Sequence, residues 1–289
     1  MPHLSLRHKT MRLLVSLGLI TLFMNAFAAV ELEEWQTNDN WRKGKSDAVW
    51  MENIKPAMFA NREILEGAGQ NVLEIRAPIR AEDATVVPVS VHTLLPQTQE
   101  RYIKKITVVI DKNPVPLVGI FEFTPESGKA DLAMRVRVDD FSYIRAIAEM
   151  NDGELYSVKK FIRAKGACSA PPPKSAAESR KFMGRMKLNT IGELKIGQPN
   201  LVQVKILHPN VTGMAYDPVY NSRPPAHFLS SFKVAYEGIP ILKAQLTFSV
   251  SQDPAFRFYF IPNQEGKLTI EATDTKNNDW VSSFEIKHT

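Results

Sequence analysis

The stretch Tyr102-Ile-Lys-Lys-Ile-Thr-Val-Val-Ile-Asp-Lys-Asn-Pro-Val-Pro-Leu-Val-Gly-Ile-Phe-Glu-Phe123 decides the fold of this chain. On both sides of Asp111-Lys-Asn-Pro114 the residues are rich in β-branched and aromatic types and follow a period of two. This pattern predicts two strands, Tyr102–Ile110 and Leu117–Phe123, that are separated by a turn. The chain is therefore expected to build antiparallel β-structure here.

The same period of two continues on both sides of this stretch. Asn151-Asp-Gly153 is a strong hairpin signal, and Thr124-Pro-Glu-Ser-Gly128 is a second turn signal. About seven short strands in roughly 100 residues are typical of an antiparallel sandwich. The further predicted strands of this first half are Val72–Ala77, Thr85–Leu94, Ala130–Val138, Tyr143–Ala148 and Leu155–Arg163.

A second sandwich of about six strands is predicted in the C-terminal half. Glu237-Gly238 and Asn263-Gln-Glu-Gly266 are interpreted as its hairpin turns. The two halves also resemble each other, because Asn113–Phe123 and Gly238–Phe248 have a similar pattern. Either the β patterning that the two halves share or a common origin of the halves would explain this likeness. The predicted strands are Leu201–Leu207, Phe228–Tyr236, Ile239–Val250, Phe256–Ile261, Lys267–Thr273 and Trp280–Ile286.

Two other segments interrupt the β pattern. Residues from Asp47 have helical spacing, so Asp47 is predicted to be the N-cap of a short helix that Pro56 ends or kinks. Residues 165–192 contain three consecutive prolines, which favour an extended spacer. Ser175-Ala-Ala-Glu178 fits a capping box, and a short basic helix is expected after it. We interpret this region as a linker between the two sandwiches.

The N-terminus has the layout of a secretory signal. Three cations, Arg7, Lys9 and Arg12, precede an apolar run that ends near Phe23, and Ala26-Phe-Ala28 is a small-x-small cleavage pattern. A retained membrane anchor is the alternative, but the run is shorter than the ~20 residues that a spanning helix needs. We therefore expect cleavage after Ala28 and a periplasmic mature protein without a membrane segment.

Composition and motifs exclude several classes of protein. The chain has 289 residues, 44% of them hydrophobic, and its formal charge of +5 falls to +2 when the three cations of the signal are removed. Such a small charge does not indicate a nucleic-acid partner. One cysteine excludes a disulfide scaffold and zinc sites that need two thiolates. Because the phosphate-binding, hydrolase and zinc-protease motifs are absent from the sequence, we expect a protein that is not an enzyme.

Histidine and arginine residues give only weak functional signals. His92, His208 and His227 lack ligand spacing, so hydrogen bonds that anchor loops are the favoured interpretation of His208 and His227, and a metal site is the alternative. Arg135 and Arg137 lie two apart, which predicts that both leave the same face of a strand. That face is expected to be solvated, although an anion-binding or partner-binding role stays open.

The single cysteine, Cys168, lies in a polar segment bounded by prolines. The sequence around it offers no apolar face to bury it, so an exposed and reactive thiol competes with the usual buried, inert one. Two cations just upstream, Arg163 and Lys165, are expected to stabilise the thiolate and lower its pKa. The small neighbours are interpreted as a flexible arm around the sulfur: Gly166, Ala167, Ser169 and Ala170.

The first half resembles SoxY, the sulfur-carrying subunit of bacterial thiosulfate oxidation. The resemblance is carried by Leu73-Glu-Ile-Arg-Ala-Pro, Val87-Pro-Val-Ser-Val, Ile106-Thr-Val-Val-Ile-Asp-Lys-Asn-Pro-Val-Pro, Met134-Arg-Val-Arg-Val and Gly166-Ala-Cys168. The second half resembles SoxZ through Val204-Lys-Ile-Leu-His-Pro-Asn-Val-Thr-Gly213, Pro225-Ala-His-Phe228 and Ala244-Gln-Leu-Thr-Phe-Ser-Val-Ser-Gln-Asp-Pro254.

This resemblance implies two immunoglobulin-like antiparallel β-sandwiches joined by a Pro-rich linker, in an all-β chain with a short N-terminal helical segment. The expected divisions are a signal peptide at 1–28, an extension at 29–67, a SoxY-like sandwich at 68–165, the cysteine and linker at 166–192, and a SoxZ-like sandwich at 193–289.

The resemblance also implies that Cys168 carries sulfur intermediates as covalent S-conjugates, with no other cofactor. The implied partners are periplasmic sulfur-oxidising enzymes, c-type cytochromes or a PQQ-dependent (quinoprotein) dehydrogenase, since the layout looks like fused SoxYZ-like carriers. One departure is that the SoxY cysteine lies in Gly-Gly-Cys-Gly-Gly at a chain end, whereas Lys165-Gly-Ala-Cys-Ser-Ala170 is internal. The alternative function is a thiol-independent accessory module for a quinoprotein dehydrogenase.

Overall fold

The computed structural model describes residues 40–171, 176–216 and 221–287. The predicted signal peptide, its cleavage site and Ser175 lie outside these residues. By its contacts the chain divides into Met1–Lys45 and Ser46–Thr289, and the strands found in the described residues lie in the second unit. No helix in the described ranges combines the length and the apolar character that a membrane span requires.

Fourteen strands form in the described residues, seven in each half of the chain. The first seven are β1 (Leu73–Arg76), β2 (Val87–Thr93), β3 (Ile103–Ile110), β4 (Leu117–Phe123), β5 (Leu132–Val136), β6 (Ser142–Met150) and β7 (Leu155–Ile162). The second seven are β8 (Met186–Ile191), β9 (Asn200–Ile206), β10 (Leu229–Tyr236), β11 (Ile239–Leu246), β12 (Ala255–Phe260), β13 (Gly266–Asp274) and β14 (Asp279–Ile286). The prediction of an all-β fold with antiparallel sheets is confirmed.

Both sheets run through both halves of the chain. The six-stranded sheet has the order β1-β2-β5-β12-β9-β8, and the eight-stranded sheet has the order β14-β13-β10-β11-β4-β3-β6-β7. Each half therefore contributes three strands to one sheet and four to the other, as in an immunoglobulin-type sandwich. The halves join where β4 pairs with β11 and β5 pairs with β12.

The two halves repeat one topology. In each sheet the strand orders read outward from this junction are the same when β1–β7 are matched to β8–β14. The matched strands β4 and β11 lie within the two stretches whose sequences resemble each other. The topology therefore places that sequence likeness at equivalent positions of the two halves.

The strand β8 was missed by the sequence reasoning, which assigned residues 166–192 to the linker. It forms an edge of the six-stranded sheet by pairing with β9 from Met186↔Ile206 to Ile191↔Leu201. Most of its residues are exposed, because an edge strand has a partner on one side only. Its apolar alternation is correspondingly weak. The short helix predicted in this segment is present at Ala176–Lys181.

Gly119 permits the close approach of the two halves. It lies on β4 opposite Leu246 of β11, and a Cβ atom at this position would lie 2.8 Å from the backbone oxygen of Gln245. Real Cβ atoms do not approach an oxygen so closely without a shift of the backbone. A side chain here would therefore force the two strands apart.

A helical segment at 40–59 covers the outer face of the eight-stranded sheet through its C-terminal part. Its π-helical turn Trp50–Ile54 precedes the α-helical turn Lys55–Phe59. Pro56, which lacks an N–H, lies within the second turn, so the helix continues past it through the π turn. Trp50, Ile54 and Phe59 pack on the sheet residues Val109, Ile147 and Leu155, and this is why β3 and β6 are buried on both faces.

Asp47 is not an N-cap, because residue 40 is already helical. Its carboxylate instead accepts hydrogen bonds from Arg145 and Lys159, each at 2.6 Å. Arg145 is fully buried and also donates to Asp111, while its guanidinium lies 4.7 Å from the ring centroid of Trp50. This network of ion pairs and a cation–π contact fastens the helix to β6.

Candidate functional site

The segment that carries the single cysteine crosses the junction of the two halves. We call residues 163–171, which follow β7, the cysteine segment. The carbonyl oxygen of Asp139 accepts from the N–H of Gly166 at 2.8 Å, and its side chain accepts from the N–H of Cys168 at 2.9 Å. From the other half, the hydroxyl of Thr212 donates to the carbonyl oxygen of Cys168 at 2.6 Å. The segment is therefore fastened to both halves.

Cys168 is buried, which contradicts the prediction of an exposed thiol. Its exposed fraction is 0%, and that of Ala167 is 2%. The sequence around the cysteine offers no apolar face, but the fold buries the residue where the segment meets the loop that contains Thr212. Because Ala167 and Cys168 are small, the segment can close against that loop. Gly166 and Ser169 are exposed, and Ala170 is half-buried.

Gly166 adopts a φ of +80°, and a Cβ atom there would have no neighbour within 4 Å. A residue with a side chain would be strained at this position because of its backbone angle alone. Glycine is thus needed to turn the chain from β7 towards the junction. Whether Gly166, Ala167, Ser169 and Ala170 act as a flexible arm stays a prediction.

Burial raises the pKa of the Cys168 thiol to about 12, and the carboxylate of Asp139 facing it acts in the same direction. The guanidinium of Arg137 acts in the opposite direction and lowers the pKa of the thiol. The prediction of a thiol with a lowered pKa is therefore wrong for this arrangement. Of the two cations that precede the cysteine, Lys165 is exposed, and the backbone of Arg163 donates to Ile79 and accepts from Ala81.

Arg137 and Arg135 do not share a solvated face, contrary to the prediction. β5 ends at Val136, so the alternation of faces stops before Arg137. Arg135 is half-buried and donates to the carbonyl oxygen of Asp253 at 3.2 Å. Arg137 is 7% exposed, and its Nη1 donates to the carbonyl oxygens of Phe248 at 3.1 Å and Val250 at 2.6 Å. Burial lowers the pKa of Arg137 to about 10.

A cavity of about 630 Å³ adjoins the cysteine segment at the junction of the halves. Ala167 and Ala170, on either side of Cys168, line it together with Arg137 from the first half. The second half contributes the loop Pro209–Thr212 and His227. Residues of both halves line this cavity, so the site next to the cysteine depends on the association of the two halves.

His208 and His227 meet at one carboxylate. The Nε2 atom of His208 lies 3.4 Å from Oδ2 of Asp274, and the Nε2 atom of His227 lies 2.6 Å from the same oxygen. The side chain of Asp274 is fully buried. The N–H of Asn210 donates to Nδ1 of His208 at 3.1 Å, so Nε2 of that ring carries the proton that is donated to Asp274.

This arrangement confirms the prediction of hydrogen bonds that anchor loops. Burial, followed by repulsion from His227, lowers the pKa of His208 to about 4, which keeps the ring neutral. Ligand atoms of the three side chains lie within 4.8 Å of one another, a spacing that could also hold a cation. A metal would have to displace the proton on His208 Nε2. His92, in contrast, contacts Asp131 and Ser90 far from this group.

Sequence reasoning missed three residues that shape the site. Neither Asp139 nor Asp274 belongs to a sequence motif that indicates a site, and Thr212 stands within the longer motif Val204–Gly213. The motif His208-Pro-Asn-Val-Thr-Gly213 did contain a signal, because both its histidine and its threonine make buried contacts. The pairing of Asp139 with Cys168 spans 29 residues and has no local signal.

Comparison with protein families gives two matches that divide the chain. Residues 55–168 match the family model described as "Sulfur oxidation protein SoxY", and residues 190–285 match that of "Sulphur oxidation protein SoxZ". The first match ends at Cys168. No curated protein is similar to the chain at a significant level.

Solved structures with a similar arrangement of strands have low sequence identity to this chain. The sulfur carrier protein SoxY from Chlorobium limicola f thiosulfatophilum is 23% identical, with 43% of this chain and 99% of that one covered, at a TM-score of 0.33. A superoxide reductase (neelaredoxin) variant from Ignicoccus hospitalis is 20% identical over 33% and 82% of the two chains, at a TM-score of 0.30. Fibronectin(III)-like modules of Clostridium thermocellum CbhA are 8% identical over 75% and 94%, at a TM-score of 0.23.

Proposed function

Because this chain joins a SoxY domain and a SoxZ domain of the sulfur-oxidation carrier family in one polypeptide, we propose that it is a periplasmic carrier that holds sulfur intermediates covalently on Cys168. The observation that supports Cys168 as the attachment point is its place at the end of the SoxY match and at the junction of both domains. It is also the only cysteine of the sequence.

The buried thiol defines what such a carrier must do. With a pKa near 12 the sulfur is protonated at neutral pH, so it is a poor nucleophile while the cysteine segment is closed. Loading by a partner protein therefore requires the segment to leave its site. Three hydrogen bonds hold the segment: the N–H groups of Gly166 and Cys168 donate to Asp139, and Thr212 donates to the carbonyl oxygen of Cys168. Each of these bonds contributes about 1 kcal/mol net to the closed state.

The segment would enter a partner as a loop, because the chain continues beyond Cys168 into the helix Ala176–Lys181 and strand β8. A cleft that accepts a single chain end is too narrow for two strands of backbone. Partners with a wider cleft, among periplasmic sulfur-oxidising enzymes, c-type cytochromes or a PQQ-dependent dehydrogenase, therefore suit this carrier. The carrier itself contributes no catalysis in this proposal, and its only covalent group is the sulfur conjugate. The predicted signal at 1–28 supports export to the periplasm.

Intact mass measurement tests this function. Protein purified without reductant from cells that express its sulfur-oxidising partners should carry mass additions that match sulfur or oxidised sulfur groups. These additions should be absent from Cys168→Ser protein from the same cells. Only unmodified protein under these conditions would contradict covalent carrying.

One observation favours a second function, a thiol-independent accessory module for a quinoprotein dehydrogenase. The thiol is fully buried and protonated, as an inert structural cysteine would be. In that case Cys168→Ala should retain the growth or oxidation phenotype of the wild type, while Arg135→Glu should abolish co-purification with the dehydrogenase. A carrier, in contrast, loses its phenotype with Cys168→Ala.

A further inference from the structure

The cavity beside the cysteine segment has a one-sided charge. Among the described residues that line it, three carry a formal positive charge, Arg137, Arg180 and Lys276, and none is an aspartate or glutamate. Arg180 and Lys276 are exposed, whereas Arg137 is buried, with an exposed fraction of 7%. Positive groups in a sheltered cavity attract anions, because the screening by water is reduced there.

Arg137 lacks a counter-ion among the described residues. Its Nη1 donates to the neutral carbonyl oxygens of Phe248 and Val250, and no described carboxylate forms an ion pair with it. A buried cation without a counter-charge is costly, and this cost is visible in the lowered pKa of the guanidinium. The N–H groups on Nε and Nη2 of the planar guanidinium can therefore donate to a further acceptor.

The positive charge of Arg137 acts on the sulfur of Cys168 and lowers the pKa of its thiol. The guanidinium and the Cys168 thiol interact electrostatically, and each counteracts the effect of burial on the other. The carboxylate of Asp139 faces the sulfur with the opposite effect, although it does not line the cavity. A negatively charged group attached to the sulfur is therefore repelled by Asp139 and attracted towards Arg137 and the cavity.

We propose that Arg137 and this cavity form the seat for the anionic end of the group that Cys168 carries, a sulfonate or thiosulfonate type of oxyanion. This inference rests on the proposed carrier function and adds the charge of the cargo and the residue that binds it. A guanidinium suits such an oxyanion because its fork donates two parallel hydrogen bonds. The anion supplies the counter-charge that Arg137 lacks, so the loaded segment is held closed more firmly than the unloaded one.

A matched pair of adducts tests this seat without any partner protein. The only cysteine of the full chain is alkylated under mild denaturation and refolded, once with iodoacetate and once with iodoacetamide. The two products have nearly the same shape, but the carboxymethyl group is anionic and the carbamidomethyl group is neutral. We expect the carboxymethyl form to have a melting temperature higher by about 3 °C or more. The difference should disappear in Arg137→Gln and persist in the control Arg135→Gln.

Two further variants keep the test decisive. If Arg137→Gln does not fold, Arg137→Lys replaces it, and the difference should shrink because the point charge lacks the fork. Cys168→Glu and Cys168→Gln repeat the comparison without alkylation. Equal melting temperatures of the anionic and neutral forms, or a difference that survives the loss of Arg137, would overturn the seat. Neither result depends on whether sulfur adducts form in cells, so a failure here is separate from a failure of the carrier function.

Discussion

The hydroxyl of Thr212 donates to the carbonyl oxygen of Cys168 at 2.6 Å and so links the SoxZ domain directly to the residue that ends the SoxY match. The two residues are 44 positions apart in the chain. The N–H of Met214 also donates to the Thr212 hydroxyl at 3.1 Å, which orients its proton towards the cysteine. The second domain thus supplies one of the three hydrogen bonds that hold the cysteine segment in place.

Thr212→Val should therefore increase the exposure of the thiol. The substitution leaves the Cys168 carbonyl without its donor in the closed state, which costs about 1–3 kcal/mol and favours the open segment. We expect Cys168 to react with iodoacetamide roughly tenfold faster at pH 8. Thr190→Val, at an exposed position of β8, is the matched control and should react at the wild-type rate. An unchanged rate for Thr212→Val would show that the bond does not limit opening.

Asp139→Asn should make the thiol more acidic. The carboxylate of Asp139 raises the pKa of Cys168, while an amide oxygen can still accept from the Cys168 N–H. The thiolate fraction below the pKa rises about tenfold for each unit by which the pKa falls. We expect the pH profile of alkylation by a small neutral reagent to move to lower pH by about one unit.

The neighbouring Asp140 provides the control for this prediction. Its carboxylate pairs with Lys112 and is not among the charges that act on the thiol. Asp140→Asn should leave the profile in place. The same shift in both variants would assign the effect to the net charge of the protein and not to Asp139.

Gly119→Ala should weaken the junction of the two domains. The new Cβ atom would lie 2.8 Å from the oxygen of Gln245, so β4 and β11 must separate. Overpacking of this kind costs about 1–3 kcal/mol, and we expect the melting temperature to fall by about 3–8 °C. Gly67→Ala, where a Cβ atom meets nothing within 4 Å, should melt within about 1 °C of the wild type. Thermal unfolding of both variants measures this, and equal values would contradict the role of Gly119.

The group of His208, His227 and Asp274 should make stability depend on pH. The pKa of His208 is about 4 in the folded chain, below its ordinary value of 6.5, because burial disfavours the charged ring. A histidine of this kind contributes stability that is present above 6.5 and is lost as the pH falls towards 4. We expect the melting temperature to decrease over this range, and less so in His208→Gln.

Metal analysis provides the complementary measurement for this group. If the three side chains form only hydrogen bonds, added chelator leaves the melting temperature unchanged. Stoichiometric zinc in the purified protein that is absent from Asp274→Asn would show instead that the group binds a metal. The spacing of the three ligand atoms, within 4.8 Å, makes this a direct test.

Local pattern was enough to predict most strands of this protein. Thirteen of the strands follow from a period of two in the sequence, and Leu117–Phe123 agrees with the prediction at both ends. The predicted hairpin at Glu237-Gly238 is confirmed, because Tyr236 pairs with Ile239 and both turn residues adopt the positive φ values that suit this turn. In contrast, Asn263–Gly266 joins β12 and β13 of different sheets and is not a hairpin. Periodicity shows that a strand exists and does not say which strand it pairs with.

By itself the sequence determined thirteen of the strands, the hairpin at Glu237-Gly238, the two families and the presence of a single cysteine, because these depend on residues close together in the chain or on motifs. Only the tertiary structure decided that the two domains share both sheets, that Cys168 is buried, and that Asp139, Arg137 and Thr212 surround it. The physical reason is that burial and the pKa of a group are set by the atoms that fold around it, and here those atoms come from distant parts of the chain.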